Sequence, residues 1–241
     1  MITRKTTINS DLNFLEGEIV LLDKTLYKSS FDCTYKVRKA VRVQKVGHAG
    51  TLDPMATGLM IICTGKKTKE ISEIQNSQKT YTGVITLGKT TLSFDTETEF
   101  HSEKDFSGVT EKDIYNVRDL FIGKILQTPP MYSAIKKNGK ALYHFARRGI
   151  EVERNTREVV IDKFEITKIN LPDIHFTITC SKGTYIRVIA NDFGEKLGCG
   201  AYLKSLRRIR IGNYSVDDAL TVNEFLTLIE AKKVAESEVT A

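Results

Sequence analysis

Apolar and polar residues alternate along this chain in short segments separated by Gly, Pro and charge. Residues 17–23 (Gly-Glu-Ile-Val-Leu-Leu-Asp) and 59–63 (Leu-Met-Ile-Ile-Cys) contain continuous apolar runs, the pattern of buried strands. Residues 81–87 mix Tyr, Val and Ile with Thr, and residues 159–169 and 174–180 repeat that pattern around a turn at Asn170-Leu171-Pro172-Asp173. Helical spacing appears elsewhere. Ser29-Ser30 caps a helix to about residue 44 whose apolar side is Phe31, Tyr35, Val37 and Val41. A second helix covers about 67–75. Thr110 and Asp113 form a capping pair before Ile114, Val117, Leu120 and Phe121. A helix over 184–196 stops at Gly198, and Thr221 with Glu224 opens a last helix from 222 to about 234. Residues 1–16 are polar, and their start is expected to be poorly ordered. Strands and helices intermix without βαβ regularity, which predicts an α+β domain around a mixed, largely antiparallel sheet flanked by helices. No internal repeat divides the chain, so a single domain over 1–241 is expected, with a C-terminal helix region at about 215–241.

Residues 128–158 break the pattern. Pro129-Pro130 opens them, residues 136–140 (Lys-Lys-Asn-Gly-Lys) read as a basic turn, and Arg147-Arg148-Gly149 interrupts any long helix. A short helix over about 141–146 is all that fits. With few core residues and many cations, the segment reads as an excursion that touches a partner.

Composition narrows the class. The chain has 241 residues, 41% hydrophobic and 27% charged, so it is globular. No apolar run approaches the roughly 20 residues of a membrane span, and the N-terminus lacks a signal-peptide core. Cys33, Cys63, Cys180 and Cys199 are far apart, which predicts neither disulfides nor a zinc knuckle and a cytoplasmic protein with no metal. Net charge is +6, but it is segregated. Residues 182–214 carry seven Lys/Arg against two Asp/Glu and residues 128–158 seven against three, whereas residues 93–120 hold eight acids and three bases. Such segregation suggests a basic face for a polyanion.

The candidate chemistry lies in residues 47–58, Gly-His-Ala-Gly-Thr-Leu-Asp-Pro-Met-Ala-Thr-Gly. Three glycines are read as permitting backbone angles that a Cβ forbids, and Pro54 drives Asp53 toward an extended conformation. An Asp-Pro pair alone is an ordinary turn. Asp53 in a glycine loop at the lip of a buried strand can instead serve as nucleophile or base.

This loop resembles the catalytic motif of the TruB family of tRNA pseudouridine synthases, GHxGxLDPxAxG. The resemblance recurs in order at Lys79-Thr80-Tyr81, at residues 127–136 (Gln-Thr-Pro-Pro-Met-Tyr-Ser-Ala-Ile-Lys), at residues 183–187 (Gly-Thr-Tyr-Ile-Arg) and at residues 203–208 (Leu-Lys-Ser-Leu-Arg-Arg). It implies a pseudouridine synthase fold and cofactor-free isomerisation of the T-loop uridine of tRNA, position 55, by an aspartate-dependent route with base flipping. Asp53 would attack the sugar, attack the base or remove a ribose proton. The resemblance gives Arg187 a salt bridge to Asp53 and sets Leu206 against the target base; the flat Tyr81 ring can stack on the flipped base, and the resemblance adds an acid/base role for its hydroxyl. His48 is expected to stack in the RNA loop. Residues 128–158 match an RNA-gripping insertion, offering Lys136, Lys137, Lys140, Arg147 and Arg148, with Tyr185, Arg207 and Arg208 as further RNA contacts. Lys24 is a further candidate, although most family members have Pro and Gly after this lysine where this chain has Thr25-Leu26-Tyr27-Lys28. The family's frequent C-terminal PUA module is not expected after the last helix. The partner implied is the tRNA T stem-loop, with no cofactor, membrane or obligate protein partner. A non-catalytic RNA-binding protein is the rival reading, and Asp53, Tyr81 and Arg187 together argue against it.

Overall fold

A computed structural model describes residues 1–137 and 139–239. In chain order the strands and helices are β1 (Ile19–Lys24), α1 (Ser30–Val41), β2 (Val46–His48), β3 (Ala56–Thr64), α2 (Ile71–Asn76), β4 (Lys79–Leu87), β5 (Lys89–Thr91) and β6 (Phe100–Glu103). Then come α3 (Glu111–Asp119), β7 (Gly123–Gln127), β8 (Lys136–Lys137), β9 (Lys140–Ala141), α4 (Leu142–Ala146), β10 (Arg157–Asn170) and β11 (Asp173–Cys180). The chain closes with α5 (Ile186–Leu197), β12 (Ala201–Ile211), β13 (Tyr214–Ser215), β14 (Leu220–Thr221) and α6 (Val222–Val239). The class is α+β, with mixed, largely antiparallel pairing and flanking helices. Two compact units emerge, residues 1–81 with 207–241 and residues 82–206, and their boundaries fall within β4 and β12.

In the first unit the strand order is β14–β1–β3–β12, with β2 also on β3 and β13 on β12. β1 runs parallel to β14 and antiparallel to β3, Leu21 opposite Ile61. Its apolar runs are continuous because both faces are covered. Val20, Leu22, Met60 and Ile62 pack with Cys33 and Val37 of α1 and Phe225 and Ile229 of α6, while Ile19, Leu21, Leu59, Ile61 and Cys63 pack with Ile74 of α2. The expected helix over 67–75 is a 3₁₀ stretch, Gly65–Glu70, followed by α2. Helix α1 ends at Arg42 in the left-handed conformation, short of residue 44, and Ser29 and Asp32 close its capping box.

Two expectations for this unit are corrected. Helix α1 buries Ser30, Cys33, Thr34 and Val37, whereas Phe31 and Tyr35 point outward. The small residues let α1 approach the sheet, and the rings lie on the opposite stripe. The N-terminus is tied down: Ile2 is fully buried, and it bridges β1 through Ile2 N to Ile19 O and Leu21 N to Ile2 O.

In the second unit the order is β12–β4–β11–β10–β7. Phe164 of β10 and Phe176 of β11 meet Phe121 and Phe193 in an aromatic cluster with centroids 5.8–6.3 Å apart. Thr110 and Asp113 cap α3 as expected, but Leu120 is exposed. Helix α5 starts at Ile186, two residues later than predicted, and Gly198 caps it at φ 80. The 128–158 segment holds a β8–β9 hairpin and α4, and it has more anchors than its composition suggested. Leu142 is buried, Tyr143 N donates to Ser133 O, and an Arg154 guanidinium N–H reaches Pro129 O.

Candidate active-site loop and its flanking cations

Asp53 lies on the loop between β2 and β3, and hydrogen bonds hold that loop at several backbone groups. Ala49 N donates to Ile61 O at 2.9 Å, and Ala56 N to Asp53 O at 3.0 Å. The Ser30 hydroxyl serves both ends of Leu52, accepting from its N–H at 2.8 Å and donating to its carbonyl at 2.9 Å. Gly50 and Gly58 take φ of 93 and 106, and a Cβ on Gly58 would collide with the Arg208 backbone, so only glycine lets β12 come this close. Gly47 is different from the expectation. Its φ is not positive, and a Cβ there would meet only the tip of the Ile71 side chain, Cδ1, at 2.8 Å, which that side chain can yield by moving.

Arg208 closes the loop from the far side. Buried at 1% exposure, it donates from Nε to Leu59 O at 2.8 Å, from one terminal nitrogen to Gly50 O at 3.1 Å and from the other to Thr51 O at 3.4 Å. A planar guanidinium can serve three carbonyls at once, and burying it is tolerable only because those partners compensate the charge. Lys24 does the same for the preceding turn. It is fully buried and donates to Lys28 O at 2.8 Å, Thr25 O at 3.0 Å and Pro54 O at 3.4 Å. Burial lowers its pKa to about 8, with Arg208 pushing the same way and Cys33 and Asp53 opposing. Both cations were expected to touch RNA. Both are instead turned inward onto the loop, so neither has a direct phosphate contact to offer. Arg207 is likewise engaged, in a two-pronged pair with Asp23 at 2.9 and 2.7 Å.

His48 is engaged at both ring nitrogens, Nδ1 at 3.2 Å from Thr34 Oγ1 and Nε2 at 3.3 Å from Thr51 Oγ1. Burial first, then Arg208, lowers the imidazole pKa, which favours the neutral ring at pH 7. Asp53 itself is partly exposed at the tip of this frame.

The second unit carries the other candidates. Arg187 on α5 is 3% exposed, donates to Ser93 O at 3.3 Å, and has Nε 3.9 Å from the Asp95 carboxylate. Asp95, also buried, and Ser93 were missed by sequence reading, hidden in an acidic stretch that looks like solvated surface. The Tyr185 ring has the Arg157 and Arg187 guanidinium groups over it, at 5.1 and 5.5 Å from its centroid. Its backbone is fixed by the Gln127 amide, which accepts from Tyr185 N at 2.7 Å and donates to Tyr185 O at 3.1 Å. Tyr81, at the edge of the first unit, is buried in β4, and Leu206 is half-buried in β12. Lys136, Lys137 and Lys140 are exposed on the β8–β9 hairpin, and Arg147 and Arg148 are exposed just after α4. Lys137 reaches Glu153 O, and Arg147 pairs with Glu97 at 3.2 Å. Among the described residues no three of His, Cys, Asp and Glu cluster as a metal site would require, and no helix is long and apolar enough to cross a membrane.

Residues 38–186 match the model of the TruB family pseudouridylate synthase N-terminal domain, and residues 187–240 match the tRNA pseudouridylate synthase B C-terminal domain. The chain belongs to the TruB family. Among TruB relatives, tRNA pseudouridine synthase B of Chlorobaculum tepidum is 50% identical over 86% of this chain and 89% of its own. That of Phocaeicola vulgatus is 43% identical over 93% and 98%. A crystal structure of a Cbf5–Nop10–Gar1 complex contains a chain of the same fold, with a TM-score of 0.70 and 25% identity, covering 94% of this TruB-family chain and 58% of that one. The family makes the chain a pseudouridine-forming isomerase.

Proposed function

We propose that this chain converts uridine to pseudouridine in tRNA, at the T-loop uridine of position 55, with Asp53 as the catalytic carboxylate. The observation that carries this reading is the Asp53 loop, tied by Ser30, Lys24 and Arg208 so that one carboxylate is presented at its tip. Support also comes from relatives named tRNA pseudouridine synthase B that align over most of both chains. The reaction breaks the N-glycosidic bond, turns the base and joins C5 to the same ribose carbon, while C5 loses a proton and N1 gains one. Atoms balance without an oxidant, a leaving group or a co-substrate. Attack on the sugar, attack on the base and removal of a ribose proton are the routes open to Asp53, and each needs it ionised and fixed. Arg187 is assigned to keep the carboxylate charged, and the Tyr81 ring and Leu206 to receive the base. The target leaves its stack at a cost of a few kcal/mol. Both His48 nitrogens are occupied internally, so its ring face is what it offers RNA. The exposed cations of 128–158 grip the phosphates. The work is assigned to the cytoplasm, where tRNA is processed.

Incubation with an unmodified tRNA transcript, followed by pseudouridine mapping at single-nucleotide resolution, tests this. One new pseudouridine in the T-loop is expected. Tight binding without isomerisation would make the chain an RNA-binding protein, and modification elsewhere would overturn the position.

A further inference from the structure

Beside the Asp53 loop lies an aromatic surface that the isomerase reading leaves unused. Tyr27 is 71% exposed, Phe31 67% and Tyr35 54%. Phe31 and Tyr35 are one turn apart on α1, their rings within 18° of parallel and 6.4 Å between centroids. Tyr27 sits in the preceding turn at φ 61, a conformation that favours glycine over a bulky side chain. Its N–H donates to Pro54 O, so the surface begins one residue from the candidate catalytic acid.

All three rings lie outside the buried core. The buried stripe of α1 is already packed on the sheet and α6. Three exposed rings, one held at a costly backbone angle, need another reason. Charge supplies it. Residues 25–42 carry five Lys/Arg and one Asp, and that Asp32 is engaged in the helix cap. Lys28, Lys36 and Lys39 are exposed around the rings. A second copy of this chain would set like charges against each other across a two-fold axis. Three rings also fall short of the roughly 1,000 Å² that a stable protein interface buries. Flat π-faces flanked by cations match a nucleic-acid strand, which brings bases to stack and phosphates to neutralise.

We propose that Tyr27, Phe31 and Tyr35 form a stacking platform for unpaired RNA nucleotides next to the one delivered to Asp53. The proposal deepens the isomerase reading and rests on it for the identity of the RNA. The platform adds affinity that is insensitive to salt, because stacking releases no counterions.

The test compares wild type with Phe31→Ser/Tyr35→Ser and Phe31→Leu/Tyr35→Leu, using an unmodified tRNA transcript as probe. Both substitutions lie on an exposed stripe, so folding is retained. Loss of stacking should weaken Kd by about ten-fold or more, with the salt slope and the turnover at saturating RNA unchanged. The leucine variant should be as weak as the serine variant. Ultraviolet crosslinking with 4-thiouridine-substituted transcript should label the peptide of residues 29–36. Unchanged affinity in the serine variant, full affinity in the leucine variant, or a wild-type dimer that the serine variant dissolves would each overturn the platform. Wild type that binds and crosslinks here without forming pseudouridine would instead sink the isomerase reading and leave the platform standing.

Discussion

The proposed reaction requires Asp53 to be ionised and stationary, and Ser30, Lys24 and Arg208 hold the loop that carries it. Asp53→Asn keeps the shape but removes the charge and turns one acceptor oxygen into a donor. It is expected to abolish pseudouridine formation while tRNA affinity stays within a few-fold, because phosphate contacts dominate binding. Turnover above background in that variant would remove Asp53 from the mechanism. Lys24 gives a prediction with a sign. Its pKa falls from 10.5 to about 8 on folding, chiefly through burial. Between those values the unfolded chain holds the proton and the native chain does not, so stability rises with pH across that window. The unfolding free energy of wild type relative to Lys24→Met should therefore increase from about pH 8 to about 10.5. A gap that stays flat would contradict the burial of this ammonium. The motif made Asp53 legible in one dimension. Arg208 was not, because Arg207-Arg208-Ile209-Arg210 reads as surface cations on an alternating strand. Which of them turns inward depends on Gly58 letting β12 press against β3.

At the scale of elements, the loop and the strand behind it form one device. Arg208→Lys keeps the charge, but it replaces the three separate nitrogens that hold Leu59, Gly50 and Thr51 with a single one. Denaturant unfolding should show a loss on the order of 2 kcal/mol, and kcat should fall more than KM rises. Unchanged kcat would reduce Arg208 to a packing residue. The 128–158 segment is the second device. Changing Lys136, Lys137 and Lys140 together to Ala should weaken tRNA binding and flatten the salt slope by up to about three, with saturated turnover less affected. Hydrogen exchange over the β8–β9 hairpin should slow when a T stem-loop binds, and equal exchange in both states would count against ordering on RNA. Most elements were legible from caps and alternation, as with Thr110–Asp113 for α3 and the β10–β11 hairpin. The short strands β2, β5, β6, β8 and β9 were not, since two to four residues carry no readable period.

For the whole molecule, the reaction sets the expectation. Isomerisation adds and removes nothing, and the described residues hold no cluster of metal donors. Turnover should survive exhaustive EDTA treatment, once tRNA folding is controlled by pre-annealed RNA in monovalent salt. Activity lost and then restored by one divalent ion acting on the protein would refute this. What the sequence determined by itself was the class of fold, the caps and the buried runs, because these depend on local backbone preference and near-neighbour period. What only the tertiary structure decided was direction. Phe31 and Tyr35 face outward while Ser30 and Thr34 face inward, because α1 approaches the sheet through its small residues. Lys24 and Arg208 turn inward because distant carbonyls converge there to offset the cost of burying charge, and convergence of that kind exists only once the strands have paired.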